Sequence, residues 1–286
     1  MRTHSCCRRR RQCGNIEVET VTVKTMNLWN SIPCEHSGDI HIKSYIPDVK
    51  KSDGAVIVFA GGAYMMRTPH SGERYAEFLA DVGITAFVVD YRIKPYGFPL
   101  PLLDARRAVK FVRHHSAKYG IDKSKISVMG TSAGGHLAAL VSTYFEEIDY
   151  PNKDEIDKEN FIPNLQILCY PVIYLYGDLG HTDSAINFLG ENNQKLEKQL
   201  TPADIVSERT PPAFVWHCLT DSEVHVFNSL NYVKALKEHG VPTEFHIFPD
   251  GWHGIGLAEG NADDRVTSHV HQWTGLLLEW MKYNNF

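Results

Sequence analysis

The sequence predicts an α/β protein, a three-layer sandwich in which helices cover a mostly parallel central sheet with an antiparallel start. Three observations carry this. Short, solidly apolar runs recur along the chain, amphipathic stretches of helical period separate them, and glycines stand where several of those stretches end. A strand that is apolar throughout is buried on both faces, as parallel strands under helices are. Strand and helix in alternation then build a layered sheet.

Taken in order, the first segment is "MRTHSCCRRRRQCGN" (1–15), with a basic cluster from Arg8 to Arg11. No apolar stretch of the kind a secretion signal carries follows it, so it is expected to be a solvated, disordered basic tail ahead of one domain spanning 16–286. "IEVETVTVK" (16–24) and "DIHIKSYIP" (39–47) alternate apolar and polar residues, which predicts two half-buried antiparallel strands. Solid runs follow at "AVIVFA" (55–60), "ITAFVVDY" (84–91), "KISVMG" (125–130), "LQILCYPV" (165–172), "AFVWHCL" (213–219) and "TEFHIFP" (243–249). Helical stretches lie at 71–83, 103–120, 133–147, 226–240 and 264–283, and Gly83, Gly120 and Gly240 are placed as C-terminal caps needing positive φ. The segment 173–211 is too long for a plain connection and is expected to be a lid-like insertion with short helices.

Composition narrows the partners. The chain has 286 residues, 43% hydrophobic and 22% charged, the balance of a chain that buries a large core as one domain. A net charge of -5 offers no positive excess to a phosphate backbone, so nucleic acid is not expected as a partner. No run approaches the roughly 18 consecutive apolar residues of a membrane span. The six cysteines form no CxxC pair, and Cys169 and Cys218 sit in apolar runs as small buried thiols, so a reducing, cytoplasmic setting is expected.

The chemistry starts at "VMGTSAGGHLAAL" (128–140). Gly130-Thr131-Ser132-Ala133-Gly134 is a G-x-S-x-G between a predicted strand and a predicted helix, the context of a nucleophile elbow. A serine hydroxyl needs a base to take its proton and an acid to orient that base. In such folds these come later, in the order acid then histidine, on loops after strands. Asp221 follows the run 213–219, and His253 follows the run 243–249 in "DGWHGIG". Glu223, Asp250, Asp178 and Asp204 compete for the acid. Asp250 is too near the base in sequence to reach its far nitrogen easily. Among histidines, His217 lies inside an apolar strand and reads as a satisfied core residue, while His269 and His271 do not share a helix face. The oxyanion needs donors from the loop after the first buried strand, where Gly61-Gly62-Ala63 stands. The N–H groups of Gly62 and Ala63, with that of Ala133, are the candidates.

With these residues in place the chain resembles the serine esterases of the α/β-hydrolase superfamily. "VVDYRIKPYGFPLPLLDARRAVKFVR" is similar to the corresponding stretch of the hormone-sensitive-lipase-like esterases, whose HGGG loop has its counterpart in Ala60-Gly61-Gly62-Ala63. "MNLWNSIP", "CYPVI", "HTDSAINFLGEN" and the region from "TPPAFVWHC" to "DGWHGIGLA" resemble the acetylxylan-esterase-like and carbohydrate-esterase-like hydrolases over about 26–282. That resemblance implies a Ser132, Asp221 and His253 triad, hydrolysis of short acyl esters such as those of acetylated xylan or other sugars, and no metal or cofactor. It also implies an insertion that roofs the acyl pocket, with Tyr64 and Trp252 as walls. Amide or peptide hydrolysis on the same fold, and a non-catalytic binding protein, stay open as alternatives. A metal hydrolase is the weakest rival, since the fifteen histidines include no HExxH spacing. The expected partner is a small-molecule or acetylated carbohydrate ester, with self-association allowed and no membrane partner.

Overall fold

The computed structural model describes residues 3–5, 21–32, 39–191, 193–260 and 264–286. Its strands are β1 (Thr3–Ser5), β2 (Thr22–Asn27), β3 (His41–Ile46), β4 (Ala55–Phe59), β5 (Thr85–Val89), β6 (Ile126–Thr131), β7 (Leu165–Cys169), β8 (Ala213–Cys218) and β9 (Thr243–Phe248). They form one sheet in the order β1-β2-β3-β5-β4-β6-β7-β8-β9. Pairing is antiparallel from β1 to β5 and parallel from β5 through β4 to β9. The antiparallel start and parallel body match the expected α/β sandwich. The first strand differs: β2 begins at Thr22, and residues 16–20 lie outside the described residues. So does most of 1–15, though Thr3–Ser5 pair with Thr22–Lys24.

Helices α1 (Glu73–Asp81), α2 (Leu100–His114), α3 (Ser116–Tyr119), α4 (Ala133–Thr143), α5 (Thr182–Leu189), α6 (Gln194–Gln199), α7 (Phe227–Glu238), α8 (Arg265–Val270) and α9 (Trp273–Tyr283) complete the layers. Two predicted helices are each divided. The stretch 103–120 breaks at His115 (φ -93, ψ 10), and 264–283 splits between α8 and α9. Gly83, Gly120 and Gly240 take φ of 93, 60 and 70, as their capping positions require.

Burial explains the apolar runs. Every residue of β4 through β8 is buried, and successive residues of β4 feed opposite layers: Ile57 and Phe59 enter the core of α2, α4 and α7, Val56 and Val58 that of α1, α8 and α9. Each such side chain contributes roughly 1.5–3 kcal/mol by leaving water. The exception is β9, half-exposed over most of its length because it is the edge of the sheet. Neighbouring β4 and β6 send their following helices to opposite faces, α1 to one core and α4 to the other. In open α/β sheets, ligands bind at the carboxyl edge where neighbouring strands diverge in this way. Among the described residues no helix is long and apolar enough to cross a membrane.

Candidate active site

The end of β6 turns sharply into α4 at Ser132, whose φ of 53 and ψ of -122 are costly for a residue with a side chain. The turn exists because its neighbours lack side chains. A Cβ at Gly130 would stand 2.0 Å from the Gly134 carbonyl oxygen, and one at Gly134 would stand 2.1 Å from that of Phe59. Backbone bonds hold the corner: Ser132 N–H donates to Cys169 O at 3.2 Å, and Ser132 O accepts from His136 and Val172 at 3.1 and 3.0 Å.

Three loops meet at this corner. His253 Nε2 lies 2.8 Å from Ser132 Oγ, and its Nδ1 lies 2.8 Å from Asp221 Oδ2. A carboxylate only accepts, so Nδ1 carries the hydrogen and Nε2 is left to accept from the serine hydroxyl. Asp221 Oδ1 takes the N–H groups of Glu223 and Val224, each at 3.0 Å. Burial alone would raise the Asp221 carboxyl, yet hydrogen bonds from His217 and His253 hold it well below the usual carboxylate range. It stays ionised at neutral pH. His253 has come far to reach Ser132, because β9 and β6 are three strand spacings apart, roughly 14 Å. Its loop is tied to the Asp221 loop by Thr220 Oγ1, which accepts from Gly251 N–H at 3.0 Å and donates to Gly251 O at 2.7 Å. The imidazole rests edge-on against Tyr170, ring centroids 5.2 Å apart.

The loop after β4 lies beside the serine: a Cβ on Gly61 would be 3.2 Å from Ser132 Cβ. Gly61 N–H is taken by Ser71 Oγ and Thr131 Oγ1. The N–H groups of Gly62 and Ala63 have no acceptor among the described residues. Ala133 N–H, first in α4, is one of the four that a helix leaves unpaired. Gly62, Ala63 and Tyr64 take consecutive φ of 128, 53 and 57. This turn is braced from α5, where Asn187 Nδ2 donates to Ala63 O at 2.9 Å.

The two expected pocket walls part company. Trp252, beside His253, is 51% exposed. Tyr64 is wholly buried behind the loop, stacked on Phe188 at 4.5 Å, so it offers no surface to a substrate. Its hydroxyl donates to His136 Nδ1 at 2.7 Å, while His136 Nε2 donates to Leu200 O at 2.9 Å. Burial pushes the His136 imidazole down to about 4, so it is neutral and joins α4, the loop after β4 and the end of α6. Among the described residues no other acid bonds the imidazole: Asp204 accepts from Tyr176 Oη and Asp250 faces Arg265. Cys169 and Cys218 are buried thiols, with burial pushing Cys218 up to about 12. Asn187, Tyr170 and His136 were not singled out by sequence. Only the blocks "CYPVI" and "HTDSAINFLGEN" hinted that two of them mattered.

The BD-FAE family model matches residues 42–236, more than half of the chain. Endo-1,4-beta-xylanase B of Butyrivibrio fibrisolvens is 36% identical over 74% of this chain and 33% of its own length. Acetylxylan esterase of Xylanibacter ruminicola is 29% identical over 85% of this chain and 48% of its own length. The chain thus spans a third of the first and about half of the second. Among solved structures, an acetyl ester-xyloside bifunctional hydrolase from Caldicellulosiruptor lactoaceticus is 42% identical with a TM-score of 0.84, covering 92% of this chain and 97% of that one.

Proposed function

The chain belongs to the BD-FAE family of α/β-hydrolases, and from that premise we propose that it is a serine carboxylic ester hydrolase acting through an acyl-enzyme on short, acetyl-like esters, acetylated xylan or other acetylated sugars among them. The observation that carries this reading is the unbroken chain of hydrogen bonds from Ser132 Oγ through His253 to Asp221.

In this mechanism Ser132 Oγ attacks the ester carbonyl as His253 Nε2 takes its proton. The N–H groups of Gly62, Ala63 and Ala133 receive the oxyanion, the kind of preorganised donor set whose members are each worth ~2.7–4 kcal/mol. Asp221, ionised, stabilises the imidazolium. The proton passes to the departing alcohol, leaving Ser132 acylated. Water then loses a proton to His253, attacks the acyl carbon, and the acid departs as Oγ takes that proton back. The insertion 173–211 roofs the acyl pocket and Trp252 forms its outer wall. The names of the similar acetylxylan esterase and acetyl ester-xyloside hydrolase support a sugar ester as substrate.

Labelling with a fluorophosphonate and measuring acetate release from acetylated xylan, acetylated oligosaccharides and simple esters tests the reading. Stoichiometric labelling that Ser132→Ala abolishes is expected, with nitrophenyl acetate to butyrate preferred over long acyl chains. No adduct on the native chain, or one that survives the substitution, sinks the ester hydrolase; a rate maximum at long chains sinks the short pocket.

A further inference from the structure

Asp221 faces a second histidine. His217, fifth residue of β8, is wholly buried, with Nδ1 2.8 Å from Ser229 Oγ and Nε2 2.9 Å from Val224 O. The same Nε2 lies 3.4 Å from Asp221 Oδ2, the oxygen that takes the Nδ1 hydrogen of His253. Both groups in front of Nε2 are acceptors, so the hydrogen sits there and the Ser229 hydroxyl donates to Nδ1. The series Ser229, His217, Asp221 therefore mirrors Ser132, His253, Asp221 about one shared carboxylate. Burial separates the two arms: Ser229 is fully enclosed and no substrate reaches it.

We propose that His217 is a positioning residue for the acid of the catalytic chain, its Nε2–H forking between Val224 O and Asp221 Oδ2 to hold the carboxylate from behind and draw off part of the charge it presents to His253. This rests on the ester hydrolase reading. Oδ1 is pinned by the Glu223 and Val224 N–H groups, and Oδ2 by His253 in front and His217 behind, so the carboxylate cannot swing. A partner on the far side of a carboxylate competes with the imidazole for the same lone pairs. Remove it, and the charge on Oδ2 falls wholly on the Nδ1–H of His253, stabilising the imidazolium and raising the pH at which the base loses its proton.

Other groups facing this pair stay as they are when His217 changes. His181 is held below the usual histidine range, chiefly by burial and then by His253, and is neutral. Glu223 also faces His181, while Tyr170 and Cys218 are pushed up by burial and remain uncharged, and Asp250, which acts on Cys218, faces Arg265.

The test compares His217→Leu, which removes both ring nitrogens, with His217→Gln, whose amide keeps a donor near the Nε2 position. With nitrophenyl acetate, His217→Leu is expected to lose about tenfold in kcat and to shift the acid limb of kcat/KM upward by about half a pH unit. His217→Gln is expected to return the limb to its native position. Equal losses in both variants with the limb unmoved would show a mere filler of the core and overturn the proposal. Should His217→Leu fail to fold, nitrogen-15 histidine spectra of the native protein decide. His217 is expected as the neutral tautomer protonated at Nε2, and protonation at Nδ1 instead overturns it, since nothing is then donated to Asp221. Fluorophosphonate labelling of the native protein in the same series keeps the two claims apart: no labelling ends the ester hydrolase, whereas labelling with an unmoved limb ends only the role of His217.

Discussion

Replacing Asn187 by alanine tests how far α5 controls the proposed chemistry. Two of the proposed oxyanion donors, those of Gly62 and Ala63, sit in a turn of three consecutive positive-φ residues, two of which, Ala63 and Tyr64, carry side chains. Each costs on the order of 1–3 kcal/mol of local strain, so the turn persists only while its surroundings hold it. Its restraints are Met65 and Met66 N–H on Gly62 O at 2.9 and 3.0 Å, Lys94 N–H on Tyr64 O at 2.8 Å, and Asn187 Nδ2 on Ala63 O at 2.9 Å. The last acts on the peptide next to the Ala63 donor. Losing that hydrogen bond alone is worth about 1 kcal/mol, and losing a donor outright ~2.7–4 kcal/mol. Because three other restraints remain, the outcome falls between the first figure and the lower end of the second, a drop in kcat of about 5-fold to 100-fold. KM should change little, since the donors act on the transition state, and the melting temperature should move only slightly. Initial rates on nitrophenyl acetate with a parallel thermal melt measure all three. A kcat within twofold of native would refute the bracing role. Asn187→Asp, which turns a donor toward a carbonyl into an acceptor, should be worse than alanine.

Asp221→Asn should keep the fold and lower kcat by about 10⁴-fold, because an amide there favours the wrong imidazole tautomer; a drop below tenfold would mean that another group orients His253. Gly130→Ala puts a methyl 2.0 Å from the Gly134 carbonyl oxygen, and urea unfolding should show a loss of about 4 kcal/mol or more. A loss under about 1 kcal/mol would show that the corner yields. Asp154 grips Arg107, which is 1% exposed at its side chain, through two bonds of 2.7 Å, and that hydrogen bonding holds its carboxyl far below the usual range. A depressed folded-state carboxyl stabilises fully above the unfolded value near 4 and progressively less as pH falls below it. Asp154→Asn should therefore cost about 2 kcal/mol at pH 7, with Asp157 still beside the guanidinium, and the gap from native should close in acid. A gap that ignores pH would refute this.

How much was legible varies by element. The solid runs located β4 to β8 because burial on both faces leaves its mark in every residue. "TEFHIFP" reads the same way yet forms the half-exposed edge strand β9, since nothing in a run of residues says whether a further strand lies beside it. The divisions at His115 and between α8 and α9 fall within continuous helical patterns, which mark a face and not a break. Ser132 was visible through its flanking glycines, and Asp221 and His253 through their positions after strand ends. Tyr64 was misread as a wall, because the side of a loop on which a ring settles is chosen by its partner, here Phe188, 124 residues further along the chain.

Local spacing and chain order suffice for the layered fold, the elbow and the strand ends that carry Ser132, Asp221 and His253, because each is specified by residues within a few positions of one another. Contacts between distant segments are another matter. The Nδ1 and Nε2 distances of His253 and the brace from Asn187 to Ala63 join residues between 32 and 124 positions apart. They arise only when the sheet sets its strand ends side by side and the loops fold back over that edge, since hydrogen bonds depend on ångström-scale placement that no short stretch of sequence encodes.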